Sequence, residues 1–242
     1  MAAGLQPAHL RNVSIILSHR GNLVGPNAAA ENRLPAVRAA LECGWGVETD
    51  IRRAGDGRFY ISHDAMPSAH ETPAEDFFAL FRAYRDATVA LNIKELGSED
   101  ALIELLDHED VASQTFLFDM ELLEREAGHT AQAFRNLHPT IRIAARISDR
   151  GESIEQALAI DVASVIWLDE FDGPCFTEAD IRRLKEAGRS VFAVSPDLHG
   201  KPAAECRRRW LEFIRWGVDG ICTDYPAALA RVSRALAPEV AA

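Results

Sequence analysis

The stretch SIILSHRG (residues 14–21) runs from an apolar, β-branched segment straight into a polar His-Arg-Gly sequence. It reads as a buried strand, SIILSH (14–19), whose last residues carry the chemistry of a site. The same construction recurs along the chain in GVETDI (46–51), TVALNIK (88–94), TFLFDM (115–120), IRIAAR (141–146), SVIWLD (164–169), SVFAVS (190–195) and GICTD (220–224). RFYISH (58–63) adds a further extended segment after the second run. Helical patterns lie between, at 31–43, 99–108, 121–136, 152–160, 177–187, 203–216 and 226–236. Gly44 and Gly188 follow such stretches as helix C-caps.

Eight β-runs alternating with helices in 242 residues predict an α/β fold, a (β/α)8 TIM barrel forming one domain over 1–242. An open doubly wound sheet is the alternative. The first β–α junction lacks its glycine fingerprint, and the repeat continues to eight. Polar residues gather at the strand ends: His19 and Arg20, Glu48 and Asp50, Asn92 and Lys94, Asp119, Arg146, Asp169, Ser195 and Asp224. Charge in an apolar strand is costly unless paired or bound. Its repetition at equivalent points predicts one shared site at the C-terminal mouth of a barrel.

Composition narrows the function. A net charge of −11 argues against a protein that grips nucleic acid or an anionic membrane. No apolar run approaches the ~20 residues of a membrane span. The opening MAAGLQPAHLRN is too short and polar for a signal peptide. The scattered Cys43, Cys175, Cys206 and Cys222 form no C-x-x-C, so neither zinc nor disulfides are expected, and a cytoplasmic location is.

Glu48 and Asp50 share one face of a strand by the period of two. Converging carboxylates want a hard divalent cation; an ion pair with Arg52 or Arg53 is the competing reading. Asn92 and Lys94 again share a face, an amide oxygen for a cation and an ammonium for a phosphate. The competitor there is Lys94 paired with Glu95, which points the other way. His19 and His63 both end short apolar runs and flank the carboxylates, as an acid–base couple would.

HRG followed by EN, then GVETDIRRAGDGRFYISHD, NIK and GVDGICTDYP, resembles the glycerophosphodiester phosphodiesterase family and, more widely, the phospholipase C-like phosphodiesterases. The likeness runs from His19 to Pro226 and is densest over 19–64. It implies a TIM barrel, His19 and His63 as catalytic histidines, Glu48, Asp50 and Asn92 as ligands of Mg2+ or Ca2+ (Mn2+ as a further option), and Arg20 and Lys94 as phosphate contacts. The implied substrate is a small phosphodiester. Two features depart from the family pattern. Asn92 replaces the usual acid, which lowers the site's negative charge. The stretch from Gly21 to Glu31 is longer than the family loop.

Arg146, Trp167, Asp169 and His199 are candidates for the alcohol or head group, each with a structural role as its competitor. Arg146 would suit a second phosphate. The clusters DHED (107–110), RRRW (207–210) and TDYP (223–226) are read as a solvated helix end, an exposed helix face and a turn-shaping sequence. His108, His129 and His138 have no partner that the sequence names. Three functions stay open: a metal-dependent phosphodiesterase, a phosphodiesterase or lyase for a sugar- or nucleotide-linked ester, and a decayed barrel that binds phosphate esters.

Overall fold

The computed structural model describes residues 15–65 and 72–236. The opening segment and Ser14 of the first expected strand lie outside them. Eight parallel strands form the sheet: β1 (Ile15–His19), β2 (Gly46–Arg53), β4 (Val89–Ile93), β5 (Thr115–Phe118), β6 (Arg142–Ser148), β7 (Val165–Asp169), β8 (Ser190–Val194) and β9 (Gly220–Thr223). They pair in chain order, and β1 hydrogen-bonds both β2 and β9, which closes the barrel. The short β3 (Phe59–Ile61) is antiparallel to β2 and lies outside that ring. This is the expected (β/α)8 barrel.

Eight described helices surround it: α1 (Leu34–Glu42), α2 (Ala74–Ala83), α3 (Glu99–His108), α4 (His129–Leu137), α5 (Ile154–Ala159), α6 (Glu178–Glu186), α7 (Ala203–Trp216) and α8 (Pro226–Leu236). The barrel interior holds Leu17, Ala90, Phe116, Phe118, Ala144, Val165, Trp167, Phe192, Val194 and Cys222, while the larger apolar cluster fills the space between strands and helices. Aromatic rings from β5, β7 and β8 fill the interior, so their neighbours must be small. A Cβ on Gly220 would lie 2.4 Å from the Phe192 ring. Above this plug the inward positions turn polar, in the register His19↔Glu48, Asp50↔Asn92 and Ser148↔Asp169.

Three local readings need correction. The segment 74–83 is a helix, α2, although no helical pattern was assigned there; Pro73 precedes it and Phe77, Phe78, Leu80 and Phe81 bury its apolar side. The helix expected from residue 121 starts at His129. Met120–Leu122 forms a 3-10 turn instead, and the Glu124 carboxylate accepts from Gly128 N and Thr130 N at 2.7 Å each, capping α4 from outside. RRRW is only partly an exposed face. Arg207 and Arg208 are exposed, but Arg209 is buried in a fork with Glu170 (Nε–Oε2, 2.7 Å) and Trp210 is buried beside it.

Candidate active site

β1 ends at His19, and the chain turns at once. Arg20 takes φ 51° and Gly21 φ 86°. A Cβ on Gly21 would lie 2.9 Å from Val37 N of α1, so only glycine fits that approach. The turn leaves His19 Nδ1 2.7 Å from Asp224 Oδ1 at the end of β9, and Nε2 3.7 Å from Glu48 Oε2 on β2. Asn22 Nδ2 donates to the same Asp224 oxygen at 2.8 Å, and the Asp224 backbone N–H donates to Asp197 Oδ2 at 2.8 Å. An ionised carboxylate only accepts, so Nδ1 carries a proton and Nε2 faces the site. Burial opposes the imidazolium, but the Asp224 hydrogen bond and the charges of Glu48 and Asp224 outweigh it and raise the His19 pKa. The same contact holds Asp224 below the usual carboxylate range against the opposing effect of burial.

The Glu31-Asn32 pair builds the next layer. Glu31 takes Arg20 Nη1 at 3.2 Å and Asn22 Nδ2 at 3.1 Å. Asn32, at φ 55°, donates to Asp50 Oδ2 at 2.9 Å and accepts from Thr49 Oγ1 at 2.7 Å. Asp50 is fully buried and lies between two cations, Arg20 Nε at 3.1 Å and Lys94 Nζ at 2.9 Å. Burial works against its charge, yet Lys94 and Arg20 win and lower its pKa. Glu48 goes the other way. Burial and the neighbouring Asp50 push it up to about 7, with His19, Arg20 and Lys94 pulling back. The competing pairings with β2's own arginines do not form. Arg52 instead pairs with Glu95, and Arg53 donates to Ser98 and to Gly57 O.

Two buried oxygens on β2 and β4 find no hydrogen-bond donor: Glu48 Oε2 and Asn92 Oδ1. Asp50 Oδ1 is met by Lys94 Nζ at 2.9 Å, whereas Glu48 Oε2 has the His19 ring at 3.7 Å. Asn92 Nδ2 is committed to Asp119 Oδ2 at 3.0 Å, which leaves the amide oxygen as the free end. Buried orphan oxygens cost free energy unless an ion satisfies them. Among the described residues no three His, Cys, Asp or Glu side chains gather as a metal group. The third corner of this set is an amide. Two carboxylates and an amide oxygen are hard donors, and they fit Mg2+, Ca2+ or Mn2+.

His63 follows β3 and stands apart from this buried cluster. Its ring is about half exposed, with Nδ1 2.8 Å from Asp64 Oδ1. Arg52 fixes its backbone, donating Nε and Nη2 to His63 O at 2.9 and 2.8 Å. A cavity of about 280 Å3 joins His63 to Arg20, Glu31 and Asn32. His63 and Arg20 thus share one opening.

The far side of the mouth carries a second network. Asp119, at φ 70°, receives Arg146 Nη1 at 2.6 Å, and Arg146 Nη2 reaches Asp169 Oδ2 at 2.6 Å. His199 Nε2 lies 2.5 Å from Asp169 Oδ1. Arg146, Asp169 and His199 are therefore brought together, but both terminal nitrogens of Arg146 are already engaged by carboxylates. Trp167 sits below them, 3% exposed, its ring 4.4 Å from that of Phe118. Glu121 Oε1 accepts the Arg146 backbone N–H at 3.0 Å, and burial raises its carboxyl to about 7.

The sequence places Asp224 among the strand-end polar residues and Glu31-Asn32 in the motif, but assigns no role in the site to these three or to Arg52. Asp224 stands at a strand end, but TDYP by itself reads as a turn. Pairing it with His19 requires knowing that β9 closes on β1. Outside the site, His138 finds Asp107 at 3.0 Å and His108 finds Glu109 at 3.1 Å.

The geometry defines a closed (β/α)8 barrel with a charged C-terminal mouth, and solved structures of that class resemble it. No protein-family model matches the chain, and no curated protein matches it in sequence. A glycerophosphoryl diester phosphodiesterase from Parabacteroides distasonis has a TM-score of 0.72 at 15% identity, over 96% of this chain and 90% of that one. An Oleispira antarctica phosphodiesterase, solved in complex with its product sn-glycerol-3-phosphate, has a TM-score of 0.68 at 18% identity over 91% and 96%. A glycerophosphodiester phosphodiesterase from Thermotoga maritima has 0.61 at 20% over 90% and 97%. The chain therefore has the fold of the glycerophosphodiester phosphodiesterase-like barrels. No described helix is long and apolar enough to cross a membrane.

Proposed function

We propose that this chain is a metal-dependent phosphodiesterase acting on a small, glycerophosphodiester-like phosphodiester. One observation carries the reading: a carboxylate-oriented histidine, His19, faces Glu48 in a mouth where Glu48 and Asn92 each present a donor-less oxygen beside Asp50, which Arg20 and Lys94 flank. The motif resemblance and the shared fold support it. Glu48, Asp50 and Asn92 would hold the divalent cation, which when bound would neutralise phosphate charge and polarise the phosphoryl oxygens.

The protein's own residues do the rest. Arg20 and Lys94 attract the phosphate into a chain whose net charge of −11 would otherwise repel it. Glu31 and Asn32 hold Arg20 and Asp50 in place, so little reorganisation is needed as charge develops. His19 and His63 divide the proton transfers, one taking a proton from the attacking water or substrate hydroxyl, the other giving one to the leaving oxygen. Asp224 fixes the His19 tautomer, and Arg52 fixes the His63 backbone. The acidic side of the mouth, Asp169 with His199, faces the alcohol and accepts its hydroxyl groups.

The test is a panel of glycerophosphoryl and nucleotide-linked diesters assayed with Mg2+, Ca2+ and Mn2+. Turnover that EDTA abolishes is expected, with His19→Ala and His63→Ala each losing on the order of 10²–10⁴-fold. Full activity in both variants would refute the mechanism. A second reading, a barrel that binds phosphate esters without turning them over, draws on Asn92 and on the two cations already paired with Asp50. Absence of turnover with every metal would favour it.

A further inference from the structure

We propose that the groove between α7 and α8 is a second ligand site, outside the barrel mouth, for an organic anion with an apolar body, such as a medium-chain carboxylate. The groove encloses a cavity of about 300 Å3. Cys206, Trp210 and Val232, all buried, supply its apolar wall. Trp210 Nε1 donates to Ser195 Oγ at 2.7 Å. The one polar atom of the indole is therefore satisfied inside the fold, and the ring offers the cavity apolar surface.

The rim is cationic: Lys201, Arg207 and Arg231. Arg207 and Arg231 make no ion pair or hydrogen bond among the described residues, and Lys201 Nζ reaches only a neutral acceptor, Asp172 O, at 3.0 Å. The wall does contain a carboxylate, Asp197, but it is turned into the barrel. Its Oδ1 takes the Ser195 and Thr223 hydroxyls, and its Oδ2 takes Asp224 N at 2.8 Å. It is thus spent on the strand ends rather than on the rim. Three cations without counter-charge are conspicuous in a chain of net charge −11. An apolar wall below uncompensated cations is complementary to an amphipathic anion, whose body is buried while its charge meets the rim.

The test uses the full chain and the fluorescent aromatic sulfonate 1-anilinonaphthalene-8-sulfonate as probe, displaced by decanoate or by decanol. Saturable binding of one probe per chain is expected, displaced by decanoate at a concentration at least about tenfold lower than by decanol, since only the former meets the rim charges. The double variant Arg207→Glu/Arg231→Glu should weaken probe binding about tenfold or more while the unfolding temperature stays near that of the parent. The milder pair Arg207→Gln/Arg231→Gln serves if charge reversal prevents folding, and should weaken it in the same direction. Non-saturable binding, equal displacement by decanol, or unchanged affinity in the folded double variants would each overturn the proposal.

Discussion

Asp224→Asn probes the His19 contact with the least collateral change. The substitution keeps size and shape, and it leaves the backbone N–H that donates to Asp197 untouched. It removes the charge that sits 2.7 Å from His19 Nδ1. A hydrogen bond to a charged group contributes about 1.5–3 kcal/mol. Without that contact, His19 should titrate lower in the variant. The same free energy, if it orients the reacting imidazole, corresponds to a loss of about 10- to 10²-fold in kcat. The sign of the stability effect follows from both shifts. The His19 pKa is raised in the fold, so its contribution is complete below ~6.5 and fades as pH rises through the raised value. The Asp224 pKa is lowered, so its contribution is lost as pH falls from ~3.9 through the depressed value. The variant's deficit in unfolding free energy should peak between these limits and shrink at alkaline pH. The assay is an NMR titration of the His19 imidazole in EDTA-treated protein, beside denaturant melts at several pH values. An unchanged His19 pKa, or a deficit that grows above neutrality, would refute the reasoning.

Other consequences are equally direct. Because burial and Asp50 push Glu48 up to about 7, cation binding must displace a proton below that pH. Mn2+ affinity, measured by calorimetry, should rise about tenfold per pH unit up to about 7 and then level off; a flat profile would remove Glu48 from the ligand set. Asn92→Asp adds a carboxylate at the third corner and deletes the donor to Asp119. It should tighten Mn2+ on the order of tenfold yet cost the metal-free protein about 1–3 kcal/mol, so affinity and apo stability should move in opposite directions. Arg209→Ala strands the buried Glu170, whose Oε2 lies 2.7 Å from Arg209 Nε. The expected cost is about 3–5 kcal/mol, visible as a drop in Tm of roughly 6–20 °C by circular dichroism; a drop within a degree or two would mean the pair contributes little.

The two sides of the mouth differ in a way that bears on substrate. From β1 to β4 the polar groups combine cations with a protonatable carboxylate and donor-less oxygens. From β5 to β8, Asp119 and Asp169 clamp a single guanidinium, which removes Arg146 as a free anion contact. Under the proposed function, that side suits hydroxyl groups better than another anion.

Much of the architecture was legible in the linear chain, because it rests on local patterns. Apolar runs ending in polar pairs, spaced by helical stretches, specify a barrel whose polar ends face one way. The period of two alone puts Glu48 with Asp50 and Asn92 with Lys94. Helices α3, α7 and α8 fall on the expected bounds, since each carries its own amphipathic signal. The late start of α4 was not legible, because Glu124 caps it through a loop whose course depends on β6. What only the tertiary structure decided is who meets whom across the ring. Closure of β9 on β1 brings Asp224 to His19 over 205 positions of sequence. The turn after β1 sends Arg20 to Asp50 rather than leaving β2's own arginines to neutralise it. Hydrophobic periodicity records which face of a strand is buried, but the partner of a buried charge is set by barrel closure, register and turn geometry. Those are long-range quantities that no local pattern encodes.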